Sequence, residues 1–102
     1  DENALSCVIT LCYLAARDVY EIIREARSGK GYCDYLFRPL RPSYPAIILE
    51  LKVDGSCEQA ITQIREKNYM QKVENCKEIL LVGINYDSRN KHHECQIEKI
   101  EK

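Results

Sequence analysis

The stretch AIILELKV, Ala46 to Val53, decides how the chain is read. Side chains alternate along a strand, so Ile47, Leu49, Leu51 and Val53 share one face, which reads as core throughout. Ala46, Ile48, Glu50 and Lys52 share the other, which is apolar at first and ionic after Ile48. Two ionisable groups on a central strand are costly unless they are paired or used.

The preceding segment sharpens the question. Tyr32 to Arg38 (YCDYLFR) reads as a strand. PLRPSYP, Pro39 to Pro45, must be a loop, because proline cannot donate to a ladder. If that loop folds symmetrically about Pro42, Asp34 falls opposite Glu50 on the same face. Directly opposed residues have Cβ atoms about 4.5–5.5 Å apart, a distance at which like charges repel. A divalent cation would compensate them: two carboxylates, waters and a phosphate oxygen make a magnesium site. Lys52 beside it could orient or deprotonate a water, or neutralise charge growing in a transition state. The plain structural alternative is a solvated patch at a strand end, with Asp34 paired to Arg24 or Lys52.

Outward from this pair, the elements follow from periodicity. Glu2 to Arg17 reads as a helix with two apolar stripes and one narrow polar line (Glu2, Ser6, Thr10, Tyr13, Arg17). A helix so apolar needs cover on more than one side, which a neighbouring domain or a second copy would supply. Val19 to Glu25 reads as a strand and Ser28 to Gly31 as a turn. Ser56 to about Lys72 reads as the second helix, opened by a Ser56–Gln59 capping box and lined by Cys57, Ala60, Ile61 and Ile64. EILLVGINY, Glu78 to Tyr86, reads as a strand buried on both faces, and His92 to Ile100 as a last, edge strand. Strand, helix, strand from Ala46 to Tyr86 is a crossover, so the third and fourth strands run parallel. The fold expected is α/β, a mixed central sheet in the order αβββαβ flanked by helices.

The 102 residues, 45% hydrophobic and 30% charged, form one globular domain over 1–102. A net charge of −1 gives no global basic field to draw in a polyanion. Between Tyr20 and Arg41 the bases (Arg24, Arg27, Lys30, Arg38, Arg41) outnumber the acids (Glu21, Glu25, Asp34), so Lys30, Arg38 and Arg41 are the candidate nucleic-acid contacts, with a solvated face as the alternative. The six cysteines sit mostly in apolar, periodic segments and form no CxxC pair, which argues for reduced, buried thiols in a cytoplasmic protein. Ala4 to Ala16 is too short to span a bilayer, and nothing before it reads as a signal peptide. A start without methionine, almost directly in a helix, suggests a piece of a longer polypeptide.

The set Asp34 … Glu50-Leu51-Lys52 resembles the signature of the PD-(D/E)xK nuclease superfamily, with Cys33-Asp34 in place of its Pro-Asp. More narrowly, ALSCVITLCYLAARD, SGKGYCDYLFRP and AIILELKV are similar to the nuclease-like carboxyl-terminal domain of bacterial proteins that begin with an AAA-ATPase-like domain. The resemblance covers essentially the whole chain and implies a restriction-endonuclease-like core. It implies Asp34 and Glu50 as ligands of magnesium or manganese and Lys52 as the catalytic lysine. An additional acidic ligand from the first helix would be Glu2, with Glu25 its rival. Gln63 and Tyr69 would match a glutamine and tyrosine on the second helix of related members, though Gln63 also fits a simple polar residue of that helix. The function implied is metal-dependent hydrolysis of phosphodiester bonds in DNA. The alternative is a non-catalytic nucleic-acid-binding, regulatory or dimerisation module attached to an ATPase-like domain.

Overall fold

The computed structural model describes residues 14, 17–26, 33–67 and 72–102, with the backbone alone at 25, 26, 33 and 34. Five strands form one sheet in the spatial order β1-β2-β3-β4-β5: β1 Tyr20–Ala26, β2 Cys33–Pro39, β3 Ala46–Val53, β4 Glu78–Asp87 and β5 His92–Glu101. All neighbours pair antiparallel except β3 and β4, which are parallel and joined through helix α1, Cys57–Glu66. The meander, the crossover and the mixed sheet agree with the sequence reading. The expected first helix lies outside the described residues apart from Leu14 and Arg17, where the Arg17 amide donates to the Leu14 carbonyl at 3.2 Å.

Each face of the sheet carries a core. On one side Ala46 and Ile48 pack with Leu36, Ile79, Leu81 and Val73 under Ile61 and Ile64 of α1. On the other, Ile47 and Leu49 pack with Val19, Tyr20, Phe37, Val82 and Ile84, and Leu14 rests against them. The odd-numbered face of β3, expected to be core throughout, is not: Val53 is 40% exposed, because the strand runs past the edge of that cluster.

The junction between β3 and α1 is held by polar side chains. Asp54 has a left-handed backbone (φ 56°), a conformation that aspartate tolerates better than most residues. Its carboxylate accepts from the Ser88 amide at 2.7 Å and the Ser88 hydroxyl at 2.6 Å. The Gly55 amide donates to Asn85 Oδ1 at 2.9 Å. The capping box then starts the helix: the Gln59 amide donates to Ser56 Oγ and the Ser56 amide to Gln59 Oε1, both at 3.0 Å.

The helix stops earlier than the expected Lys72. It ends at Glu66, and Lys67 turns to extended backbone while its amide donates to the Gln63 carbonyl at 3.1 Å. The buried stripe Cys57, Ala60, Ile61, Ile64 would continue at positions 67 and 68. Those are lysine and asparagine, so the apolar stripe that holds α1 to the sheet ends with Ile64.

Candidate active site

The ionic half of β3 lies under α1. Glu50 is fully buried and Lys52 is 5% exposed, so neither belongs to a solvated patch. They follow Ala46 and Ile48 on the face that the helix covers. A buried carboxylate needs a counter-charge, because its desolvation costs more than a surface ion pair returns. Lys67, at the carboxyl end of α1, provides one: its ammonium donates to Glu50 Oε1, and its side chain is only 18% exposed. A lysine of the chain therefore compensates Glu50, where the sequence pointed to a divalent cation, or to Asp34 paired with Arg24 or Lys52.

The strand register extends the acidic set. Asp34 stands opposite Glu50 and Glu25 opposite Asp34, so positions 25, 34 and 50 form one row across β1, β2 and β3. Gly83 of β4 continues that row on the other side of Glu50. Opposed positions of a ladder share a face. Of the two candidates for a further acidic ligand, Glu25 is thus in line with the other two, while Glu2 lies outside the described residues. Among the described residues no three His, Cys, Asp or Glu side chains come together as a metal cluster.

Lys52 opens onto a cavity of about 340 Å3 that it lines together with Glu58, Gln59, Thr62, Gln63 and Glu66 of α1. Gln63 is thereby brought to the same space as the candidate catalytic lysine. Beside Lys52 in the register is Asn85, itself buried and bonded to the Gly55 amide. Through Asn85 the β4 neighbour of Lys52 is thus tied to the β3–α1 junction.

The basic candidates are not gathered here. Arg38 is exposed and paired with Glu21, to which it is also opposed in the register. It lies four residues along β2 from Asp34, about 13 Å at strand rise. Arg41 is exposed in the loop before β3, at the opposite end of that strand from Glu50. Lys30 and Tyr69 lie outside the described residues. His92 and His93 are exposed at the start of the edge strand, where the His93 ring packs at 4.7 Å against that of Tyr86. Cys57 and Cys76 are free thiols, and burial pushes the Cys57 thiol up.

Sequence reasoning missed Lys67. Its signal was present in the helical period: it follows Ile64 by three and Gln63 by four, so it falls where the buried stripe continues. A lysine at such a position points to a buried acid on the facing strand.

A mixed sheet with an acidic row crossing its third strand, a buried lysine two residues on and a helix laid over both defines a nuclease-like α/β domain. Residues 1–96 match the family model of the PD-(D/E)XK nuclease superfamily, and the chain belongs to that superfamily. A search of curated proteins finds no match. No helix among the described residues is long and apolar enough to cross a membrane.

Proposed function

We propose that the domain is a metal-dependent nuclease that hydrolyses phosphodiester bonds in DNA. The observation that carries this reading is the burial of Glu50 and Lys52 side by side on β3, with Asp34 opposite Glu50 in the register. Membership of the superfamily supports it. The donor chemistry fits a hard divalent cation, magnesium or manganese. Asp34 and Glu50 would supply carboxylate oxygens, Glu25 or Glu2 a further one, and waters the rest. When bound, such a cation polarises a phosphoryl oxygen and makes a water more acidic.

The chain's own groups do the remainder. Lys52 presents an ammonium to the phosphate at the mouth of the cavity and offsets the negative charge that gathers as the water oxygen bonds to phosphorus. The attacking water gives up one proton to solvent, the ester P–O bond breaks, and the leaving oxygen takes a proton from solvent water. Gln63, on the opposite wall, orients the substrate by hydrogen bonds. Arg38 and Arg41 reach only a longer strand of DNA, at the far end of β2 and β3. Attachment to an AAA-ATPase-like domain and a bacterial setting belong to the same proposal and rest on the resemblance carried by ALSCVITLCYLAARD, SGKGYCDYLFRP and AIILELKV; a cytoplasmic setting rests on the six cysteines without a CxxC pair, and a second copy on the two apolar stripes expected over residues 2–17.

The test is cleavage of single-stranded and duplex DNA with magnesium or manganese by the wild type and by Lys52→Ala. Loss of a charge-stabilising group of this kind costs about 100–1000-fold in rate. Undiminished cleavage by Lys52→Ala refutes the role given to the lysine. Absence of any cleavage by the wild type, with DNA binding retained, favours the non-catalytic module.

A further inference from the structure

Lys67 has no part in the mechanism above, yet its ammonium contacts the central carboxylate directly. Its ammonium sits on Glu50 Oε1, while its backbone has already left the helix and is extended. A hard cation ligated by Glu50 needs carboxylate oxygen as well. A second positive charge in contact with the same group is repelled in a buried setting, where screening is weak. Lys67 holds Oε1, so a cation at the same carboxylate stands against its charge, and the two compete at Glu50.

The geometry also says where the ammonium goes. The Lys67 amide still donates to the Gln63 carbonyl at 3.1 Å, which ties its backbone to Gln63 at the end of α1. Gln63 lines the cavity into which Lys52 opens. An ammonium on a flexible four-carbon stem, released from Glu50, swings into that same cavity. We propose that Lys67 stands in for the metal at Glu50 and, when the metal binds, moves across to a phosphate of the bound nucleic acid. Metal would then cost binding energy through loss of the ion pair and return it as an added phosphate contact. Metal and nucleic acid binding are thereby coupled in the positive sense. This rests on the nuclease reading, and it adds Lys67 as a second phosphate-contacting lysine.

The experiment uses the whole chain. Manganese affinity is measured by calorimetry for the wild type, Lys67→Met and Lys67→Gln, with circular dichroism confirming the fold of each. Affinity for a short single-stranded oligodeoxynucleotide is measured with and without manganese, all in a Lys52→Met background that suppresses cleavage. Removing the competitor should tighten manganese binding about tenfold or more and abolish most of the manganese-dependent gain in oligonucleotide affinity. In the wild type, titration with magnesium should shift the side-chain resonances of Lys67, which needs no variant to fold. If the wild type binds manganese and both variants bind it equally well, the stand-in role is wrong while the nuclease reading survives. Lys67 resonances that stay unmoved at saturating magnesium overturn the stand-in role in the same way. If neither wild type nor variants bind metal, both readings fall together.

Discussion

Gly83 and Cys57 set how closely α1 lies on the sheet. A Cβ at position 83 would stand 2.7 Å from the Cys57 carbonyl oxygen, 3.0 Å from Ala60 Cβ and 3.2 Å from Ile61 Cγ1. Two of those three neighbours belong to the helix interior, so relief requires the helix to lift. Gly83 is also the partner of Glu50 in the parallel ladder. The close approach that brings Lys67 to Glu50 is thus secured one strand away.

Gly83→Ala should therefore destabilise the fold by about 1–3 kcal/mol, the usual cost of overpacking a filled core. Urea unfolding should show a lower midpoint with an unchanged slope. Catalysis should fall further than stability does, because Gln63 and Lys67 ride on the displaced helix. A midpoint equal to that of the wild type would mean that α1 slides on the sheet without cost.

The row of positions 25, 34 and 50 makes a distinct prediction. Like charges directly opposed in a ladder destabilise by roughly 0.2–1 kcal/mol. Asp34→Asn should raise the metal-free melting temperature by a few degrees, at about 4–8 °C per kcal/mol for a domain near this size. The same variant should abolish the stabilisation by manganese, which for the wild type reaches about 2.7 kcal/mol at a hundredfold excess over the dissociation constant. Glu25→Gln should weaken the manganese response without abolishing it. Equal manganese responses in Glu25→Gln and wild type would return the further ligand to Glu2.

Tyr20 predicts an alkaline limb of stability. Its hydroxyl donates to the Pro45 carbonyl at 2.8 Å, and its ring meets those of Phe37 and Tyr44 edge-on at 6.0 and 6.2 Å. Burial, with the Tyr44 hydroxyl beside it, pushes its pKa up from 10.0 to about 12. A folded-state value above the unfolded one means that the neutral form is held by the fold. Its contribution is whole below pH 10 and is lost as pH rises through 12. Ultraviolet titration should show one tyrosine ionising late, and Tyr20→Phe should remove it at a cost of about 1 kcal/mol for the lost hydrogen bond.

Asp54 acts at the acid end. The Ser88 hydroxyl and amide, both donating to its carboxylate, lower its pKa from 3.8. The stability this bond provides is present above the ordinary carboxylate pKa and fades as pH falls through the lowered one. Ser88→Ala removes the hydroxyl donor, so carboxyl carbon resonances should show Asp54 titrating at higher pH than in the wild type. An unshifted titration would mean that the amide alone holds the carboxylate.

Much of the site was legible in the chain because it depends on local rules. The opposition of Asp34 and Glu50 followed from a loop symmetric about Pro42, and the ladder places them so. The capping box at Ser56 and the parallel pairing of β3 with β4 were likewise carried by spacing. What escaped were tertiary facts. The pairing of Lys67 with Glu50 spans 17 residues and depends on where the helix ends. The early end of α1 reflects the lack of an apolar residue at 67 or 68, which a capping signal at the other terminus does not reveal. The exposure of Val53 depends on how far the neighbouring core extends, and alternation along one strand carries no such information.

The parallel pairing of β3 with β4 has a consequence for how the chain folds during synthesis. The β1–β2–β3 meander joins near neighbours and can form early, whereas the β3–β4 ladder must wait until residues 54–77 have been laid down. Until then β3 is an open edge, and the Glu50 carboxylate faces water at no desolvation cost. Burial of that charge comes only when the crossover closes, and the same event delivers Lys67. A nascent chain arrested before β4 therefore carries a hydrated acid on its unpaired edge strand, where charge discourages association with other strands.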